Sequence, residues 1–146
     1  MVAQSVHIEV DARIGALAFI PATSVATSKA RKMLPESIAH SDAVRNSSNA
    51  ALLVHALAQR PDLLHTATQD FLHQSYRKEA MPQSFALLTK LRNAGVAAFI
   101  SGAGPTVLVL HSGGPSEAEE LRRAAGDKFT ATELGIARTG ASLISA

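Results

Sequence analysis

Hydrophobic and polar residues follow two different periods along the chain, and the change of period separates predicted strands from predicted helices. The apolar run 14–20, closed by Pro21, is short and continuous, which is typical of a buried strand. The runs 96–100 and 106–110 are two further short strands joined by a glycine-rich connection, and 129–137 has the pattern of a last strand. The pattern therefore predicts four strands.

Apolar residues recur at helical spacing between these strands. Pro61 and Pro82 stand where a first-turn proline is tolerated, Ser41 is a candidate cap, and Gly95 is a candidate left-handed stop. The predicted helices are 28–34, 41–59, 61–73, 82–93 and 116–125. In the first long helix the predicted inward residues are Val44, Ala51, Leu52, Val54, His55 and Leu57. In the next they are Leu64, Ala67, Phe71 and Leu72.

The order of elements is a strand, several helices, a hairpin, a helix and a strand. This order predicts an α+β two-layer sandwich, with a small antiparallel sheet covered on one face by helices. A single domain fits the length of 146 residues. Residues 6–11 alternate between apolar and polar, which leaves two interpretations open: an edge strand, or a start inside a larger protein.

Composition excludes several classes of function. Fourteen Lys and Arg against twelve Asp and Glu give a net charge of +2, too small and too evenly spread for a nucleic-acid surface. No cysteine is present, so disulfides, thiolate metal sites and a cysteine nucleophile are excluded. The run 14–20 is too short to cross a bilayer, and residues 1–13 lack a signal peptide's order. We therefore expect a cytoplasmic protein without a membrane partner.

The connection 101–106 (SGAGPT) is the first candidate for chemistry. Its glycines permit a backbone that side chains would forbid, and successive exposed amides there could form an anion-binding nest. A hairpin turn without a ligand is the alternative, and spacing alone favours it. The motif is neither a dinucleotide fingerprint nor a Walker loop, because no Gly-Lys-Ser/Thr follows.

Two basic positions are the other candidates. Thr27 and Arg31 are four residues apart, so a helix would place the hydroxyl and the guanidinium on one side. Arg77 follows Tyr76 in a predicted loop. The alternative for each is a cap or a solvated cation. No residue is predicted to be catalytic, the six histidines lack metal spacing, and His55 and His65 are expected to be packed. The cluster Glu117, Glu119 and Glu120 is interpreted as a solvated helix face.

Four stretches together resemble one family. They are TSKAR (27–31) with MLP (33–35), DAVRN (42–46), YRKEAMP (76–82) and ISGAGPTVLVL (100–110). In this order they resemble the C-terminal domain of homoserine kinases, within the galactokinase, homoserine, mevalonate and phosphomevalonate kinase (GHMP) superfamily. The resemblance implies a ferredoxin-like fold and phosphorylation of L-homoserine by ATP with Mg²⁺, on the route to threonine.

The resemblance also implies roles for individual residues. Thr27, Arg31, Arg77 and Gly102 would bind the amino-acid substrate, with the arginines on its carboxylate. Gly102, Ala103 and Gly104 would form a loop that closes on the ATP-binding half. Phosphoryl transfer depends mostly on positioning and electrostatics, so a domain that holds the nucleophile contributes without supplying a base.

The chain departs from the family in one large respect. No glycine-rich ATP loop occurs in residues 1–146, so we expect the whole chain to be the C-terminal domain, inactive without an N-terminal half. It would then be a fragment, a split subunit with a separate partner, or a truncated gene product; a homodimer is also open. The alternatives are a non-catalytic amino-acid-binding module, a structural remnant, or another small-molecule kinase of the superfamily.

Overall fold

The computed structural model describes residues 6–137, which form an α+β sandwich. No helix in this range is both long enough and apolar enough to span a membrane. The strands are β1 Gly15–Pro21, β2 Ala97–Ile100, β3 Val107–His111 and β4 Phe129–Leu134. The helices are α1 Thr27–Lys32, α2 His40–Ala58, α3 Leu64–Ala67, α4 Pro82–Asn93 and α5 Gly114–Ala125, with single 3₁₀ turns at Pro61–Leu63 and Lys78–Ala80.

The four strands form one antiparallel sheet in the order β2-β3-β1-β4. With helices between β1 and β2 and α5 between β3 and β4, this is the split βαβ arrangement of ferredoxin-like folds. The predicted fold class is therefore confirmed. Pro82 begins α4 and Gly95 takes the left-handed φ of 82° just after it, as the sequence predicts.

The main core lies between the sheet and two helices. Alternate residues of each strand point to one face, so Leu17 and Phe19 of β1 lie beside Val107 and Val109 of β3, all fully buried. Helices α4 and α5 cover this face with Leu87, Leu88, Leu91, Ala118 and Leu121. A second, smaller cluster lies on the opposite face, where Ala97 packs with Ala56, Leu64 and Ala67 of α2 and α3.

The start of α2 and its predicted apolar face differ from expectation. The helix begins at His40, and neither Ser41 nor any other side chain caps it. Val44 is 50% exposed and Val54 is 48% exposed, and Ala51 and His55 are exposed as well. Only Ala56 is fully buried, because α2 packs along one narrow edge against α3.

The predicted helix 61–73 is wrong beyond Ala67. The chain forms a 3₁₀ turn, the short α3 and then an irregular segment, residues 68–77, which we name the polar turn. The Thr68 hydroxyl donates to the carbonyl of Leu64 at 2.7 Å, and the side chain of Asp70 accepts the next backbone N–H groups. The Asp70 oxygens thus take the place of helical carbonyls as acceptors, which ends the helix.

The two ends of the described chain also differ from the sequence prediction. Residues 6–11 do not form an edge strand, although the Asp11 N–H donates to the Leu57 carbonyl at 2.8 Å. Strand β4 ends at Leu134, three residues before the predicted end at Ala137. The tail from Thr139 lies outside the described residues.

Gly15 makes a close approach that only glycine permits. It is paired across the sheet with His111, and a Cβ at Gly15 would lie 2.6 Å from Nε2 of that ring. The His111 side chain is buried, with Nδ1 3.6 Å from the Glu117 carboxylate, so the ring has little room to move. Glu117 also accepts the Gly113 N–H, so this glutamate is not a purely solvated residue, contrary to expectation.

We predict that Gly15→Ala lowers the free energy of unfolding by about 1–3 kcal/mol, the usual range for an overpacked site. Urea denaturation followed by circular dichroism measures this change. Gly135→Ala is the matched control, because nothing lies within 4 Å of a Cβ there and its effect should stay within about 0.5 kcal/mol. Equal stability of the two variants would contradict the close packing of Gly15 on His111.

Candidate functional site

A cavity of about 470 Å³ lies where α1, α2, the polar turn and the connection between β2 and β3 meet. We name it the main cavity, and we name the connection 101–106 the glycine loop. Thr27, Arg31, Arg77, Gly102 and Ala103 all line the main cavity. The structure therefore brings together all of the predicted binding residues except Gly104, which lies in the same loop but outside the lining.

Helix α1 presents Thr27 and Arg31 to this cavity from one side. Both residues are exposed and line the cavity, and their spacing of four residues places them on the same side of the helix, as expected. Thr27 is the first helical residue rather than the cap, which is Ala26 without a side-chain bond, so its hydroxyl is not used for capping. Within residues 6–137, Arg31 has no ion pair or hydrogen bond from its side chain. Its guanidinium is thus available to an anionic ligand.

Arg77 is held very differently from Arg31. It is only 7% exposed, and its Nε–H donates to the Ala30 carbonyl at 3.3 Å while Nη1 donates to the Gly102 carbonyl at 3.0 Å. One guanidinium therefore joins α1 to the glycine loop. A guanidinium carries five N–H donors, so three remain after these two bonds.

The glycine loop has a backbone that needs glycine at two positions. Gly102 has φ 58° and Gly104 has φ 84°, both in the left-handed region, and a Cβ at Gly104 would lie 2.6 Å from the Met81 methyl group. The Ser101 N–H donates to Thr106 and the Gly104 N–H donates to Ser101, both at 2.9 Å. No residue in the described range accepts the N–H groups of Gly102 and Ala103, which fits an anion-binding nest.

Asp70, near the start of the polar turn, binds the backbone of the residues that follow it. Its carboxylate accepts the backbone N–H groups of Leu72 at 3.1 Å, His73 at 3.0 Å and Gln74 at 2.6 Å, and it lies 2.9 Å from Nδ1 of His73. Burial alone would raise the pKa of Asp70, but the hydrogen bonds from Gln74, His73 and Leu72 outweigh it and hold the pKa below its ordinary value. Asp70 is therefore ionised at neutral pH.

The polar turn is also tied to its neighbours. The Asn46 side chain accepts the Phe71 N–H at 3.1 Å, and the Asn49 amide donates to the Gln69 carbonyl at 3.2 Å. On the other side, the buried Gln74 side chain accepts the Ile100 N–H at 3.1 Å. The turn is thus held between α2 and the end of β2.

Sequence reasoning missed most of these ties. Asn46 and His40 stand out as polar residues near the motifs, but only Asn46 lines the cavity, and it binds the polar turn. Asp70 was assigned to the predicted helix 61–73, and Gln74 to the loop after it. The available signal was Asp70 itself, a residue type that favours Asx turns, although the good helix formers Leu72 and Gln74 follow it. His65 is packed as predicted, with Nε2 3.1 Å from the Arg92 carbonyl, whereas His55 is exposed.

Comparisons with known proteins address the family to which the chain belongs. The family model described as "GHMP kinases C terminal" matches residues 49–131. The chain belongs to this family. It is 45% identical over 142 residues to a homoserine kinase of Streptomyces avermitilis, covering 97% of this chain and 46% of that protein. It is 52% identical over 99 residues to one of Leifsonia xyli, covering 68% of this chain and 31% of that protein.

A solved structure supports the fold independently. The crystal structure of homoserine kinase from Cytophaga hutchinsonii matches with a TM-score of 0.77 and 26% identity, over 88% of this chain and 43% of that one. The domain thus shares the C-terminal fold of GHMP kinases. It spans less than half the length of the curated relatives named above.

The two arginines should differ in their effect on stability. We predict that Arg77→Ala lowers the free energy of unfolding by about 1–3 kcal/mol, because the buried carbonyl of Ala30 and the part-buried carbonyl of Gly102 lose their donor. Arg31→Ala, at an exposed position without a partner, should change it by less than about 0.5 kcal/mol. Urea unfolding of both variants provides the measurement. Similar losses in the two would contradict the bridging role of Arg77.

Proposed function

We propose that this domain holds L-homoserine for phosphorylation by ATP, as the substrate-binding part of a homoserine kinase. The product would be O-phospho-L-homoserine, an intermediate of threonine biosynthesis in the cytoplasm. The proposal is supported by the relatives, which are homoserine kinases, and by one geometric observation: Thr27, Arg31 and Arg77 line a single cavity beside the glycine loop. An ATP-binding half would complete the enzyme, on the same polypeptide or on a separate one.

The chemistry of the main cavity fits an α-amino acid. The free guanidinium of Arg31 matches a carboxylate in geometry and charge, and the remaining donors of Arg77 are close to the same space. The Thr27 hydroxyl can donate to or accept from a polar group of the ligand. The volume of about 470 Å³ lies within the usual range for small-molecule sites.

The glycine loop fits the second substrate. The free N–H groups of Gly102 and Ala103 could donate hydrogen bonds to a phosphate oxygen when the ATP-binding half closes on this loop. ATP would supply the transferred phosphoryl group, and Mg²⁺ would accompany it. Residues 6–137 contain no group of three or more His, Asp or Glu side chains that could hold a metal ion. In this proposal the domain positions the substrate hydroxyl and supplies no catalytic residue of its own.

Direct binding tests the substrate assignment. We expect L-homoserine to bind the chain in isothermal titration calorimetry, and Arg31→Ala to weaken binding about 10- to 100-fold, as loss of a charged hydrogen bond predicts. Arg123→Ala is the matched control, since this exposed arginine lies on α5, outside the cavity lining. L-homoserine amide, which lacks the carboxylate, should bind weakly to every variant. Equal affinity of Arg31→Ala and Arg123→Ala would contradict the carboxylate assignment.

Turnover tests the kinase assignment. The chain should form O-phosphohomoserine from ATP only when it is mixed with the N-terminal half of a relative such as the Streptomyces avermitilis enzyme. Phosphorus NMR identifies the product. Turnover by the chain alone would show that the ATP site is misplaced. Homoserine binding without product in the mixture would instead favour a non-catalytic amino-acid-binding module.

A further inference from the structure

The polar turn holds the end of β2 at one point and the glycine loop at another. The Gln74 side chain accepts the Ile100 N–H at 3.1 Å, where β2 ends, and Nη1 of Arg77 donates to the Gly102 carbonyl at 3.0 Å, two residues later. Both side chains are buried. Because Gln74 and Arg77 are three residues apart, the backbone conformation between them decides whether both contacts form together.

That conformation is fixed at its start by a carboxylate rather than by a regular helix. Asp70 accepts the N–H groups of Leu72, His73 and Gln74, and the Gln74 carbonyl then accepts the Arg77 N–H at 3.3 Å. A continuous chain of hydrogen bonds therefore leads from Asp70 through Gln74 to Arg77. None of the described hydrogen bonds joins Asp70 directly to Arg77, α1 or the glycine loop.

We propose that Asp70 is a positioning residue of the amino-acid site, which orients Arg77 and the glycine loop through the polar turn. This inference rests on the proposed function of the main cavity. Asp70 acts through Arg77: it sets the direction of the guanidinium, whose three remaining donors are the ones that a substrate carboxylate can use. An error of about 1 Å in such an arrangement reduces activity strongly.

The role requires a carboxylate and not only a side chain of similar shape. An ionised carboxylate has acceptors only, and here both oxygens face N–H groups. In Asp70→Asn, one of these oxygens becomes an NH₂ group, which would point a donor at backbone donors. The lowered pKa of Asp70 is consistent with an anion that the turn itself stabilises.

The first measurement does not depend on any ligand. Hydrogen exchange of the Arg77 Nε–H, followed by nitrogen-15 NMR, reports directly on its bond to the Ala30 carbonyl. We expect exchange to be at least about tenfold faster in Asp70→Asn. The control is Asp62→Asn, the same change at an exposed carboxylate that pairs with Arg60 and does not line the main cavity. Unchanged protection of Arg77 in Asp70→Asn would overturn the proposal.

The second measurement is a double-mutant cycle on homoserine affinity. Asp70→Asn should weaken binding about tenfold, and the double variant Asp70→Asn/Arg77→Ala should bind no more weakly than Arg77→Ala alone. Additive losses would contradict action through Arg77. A purely stabilising role would lower the urea midpoint of Asp70→Asn without changing its affinity, and this result too would refute the proposal. Should Asp70→Asn fail to fold, Asp70→Ser keeps one acceptor and takes its place in both measurements.

The two measurements separate this inference from the proposed function. Faster exchange of the Arg77 Nε–H together with a wild-type chain that binds no homoserine would support the positioning role and refute the substrate. Normal homoserine binding by the wild-type chain, with unchanged exchange in Asp70→Asn, would support the substrate and refute the positioning role of Asp70.

Discussion

The pair of hydrogen bonds from Arg77 to the carbonyls of Ala30 and Gly102 is the constraint on which the site depends. Burying a guanidinium costs free energy unless its N–H groups find acceptors. Backbone carbonyls are acceptors at every position, whatever the side chain. These two carbonyls belong to segments that are far apart in the sequence, one in α1 and one between β2 and β3. One charged group therefore brings α1 and the glycine loop to the same cavity, although neither belongs to the main core.

The hydrophobic core and the polar contacts of Arg77 place different parts of the site. The register of β2 with β3, in which Ile100 pairs with Val107, places the two ends of the glycine loop, and burial of Val107 and Val109 makes that register secure. Helix α1 has only six residues, too few to be stable by its own hydrogen bonds. Its position instead depends on buried Ala30 and on Arg77. A hydrophobic sandwich thus supplies the frame, and hydrogen bonds from Arg77 hold α1 and the glycine loop against it.

The sequence predicted what local patterns determine. Continuous apolar runs located the strands, and Pro82 with Gly95 marked α4 and its end, because these signals act within a few residues. The helix 61–73 was wrong because Asn46 and Asn49, which are 25 and 20 residues away from their partners, bind its backbone, as Asp70 does. The apolar face of α2 was wrong because periodicity shows which residues share a face but not which neighbour covers it. Thr27, Arg31 and Arg77 were found by family resemblance, whereas Gln74 was not, since only the fold brings it to Ile100.

The two arginines of the cavity differ in how many of their N–H donors already bind the protein: Arg77 uses two, whereas the described residues offer no partner to the Arg31 side chain. Arg77 is positioned in advance, so a ligand that uses its remaining donors does not have to order it, and little side-chain entropy is lost. Arg31 is exposed and solvated, so its attraction for a carboxylate is weakened by water until something covers the cavity. Closure by an ATP-binding half would exclude that water and strengthen the Arg31 contact most. Binding of the amino acid and closure of the site would then favour each other, since linkage between two binding events is reciprocal.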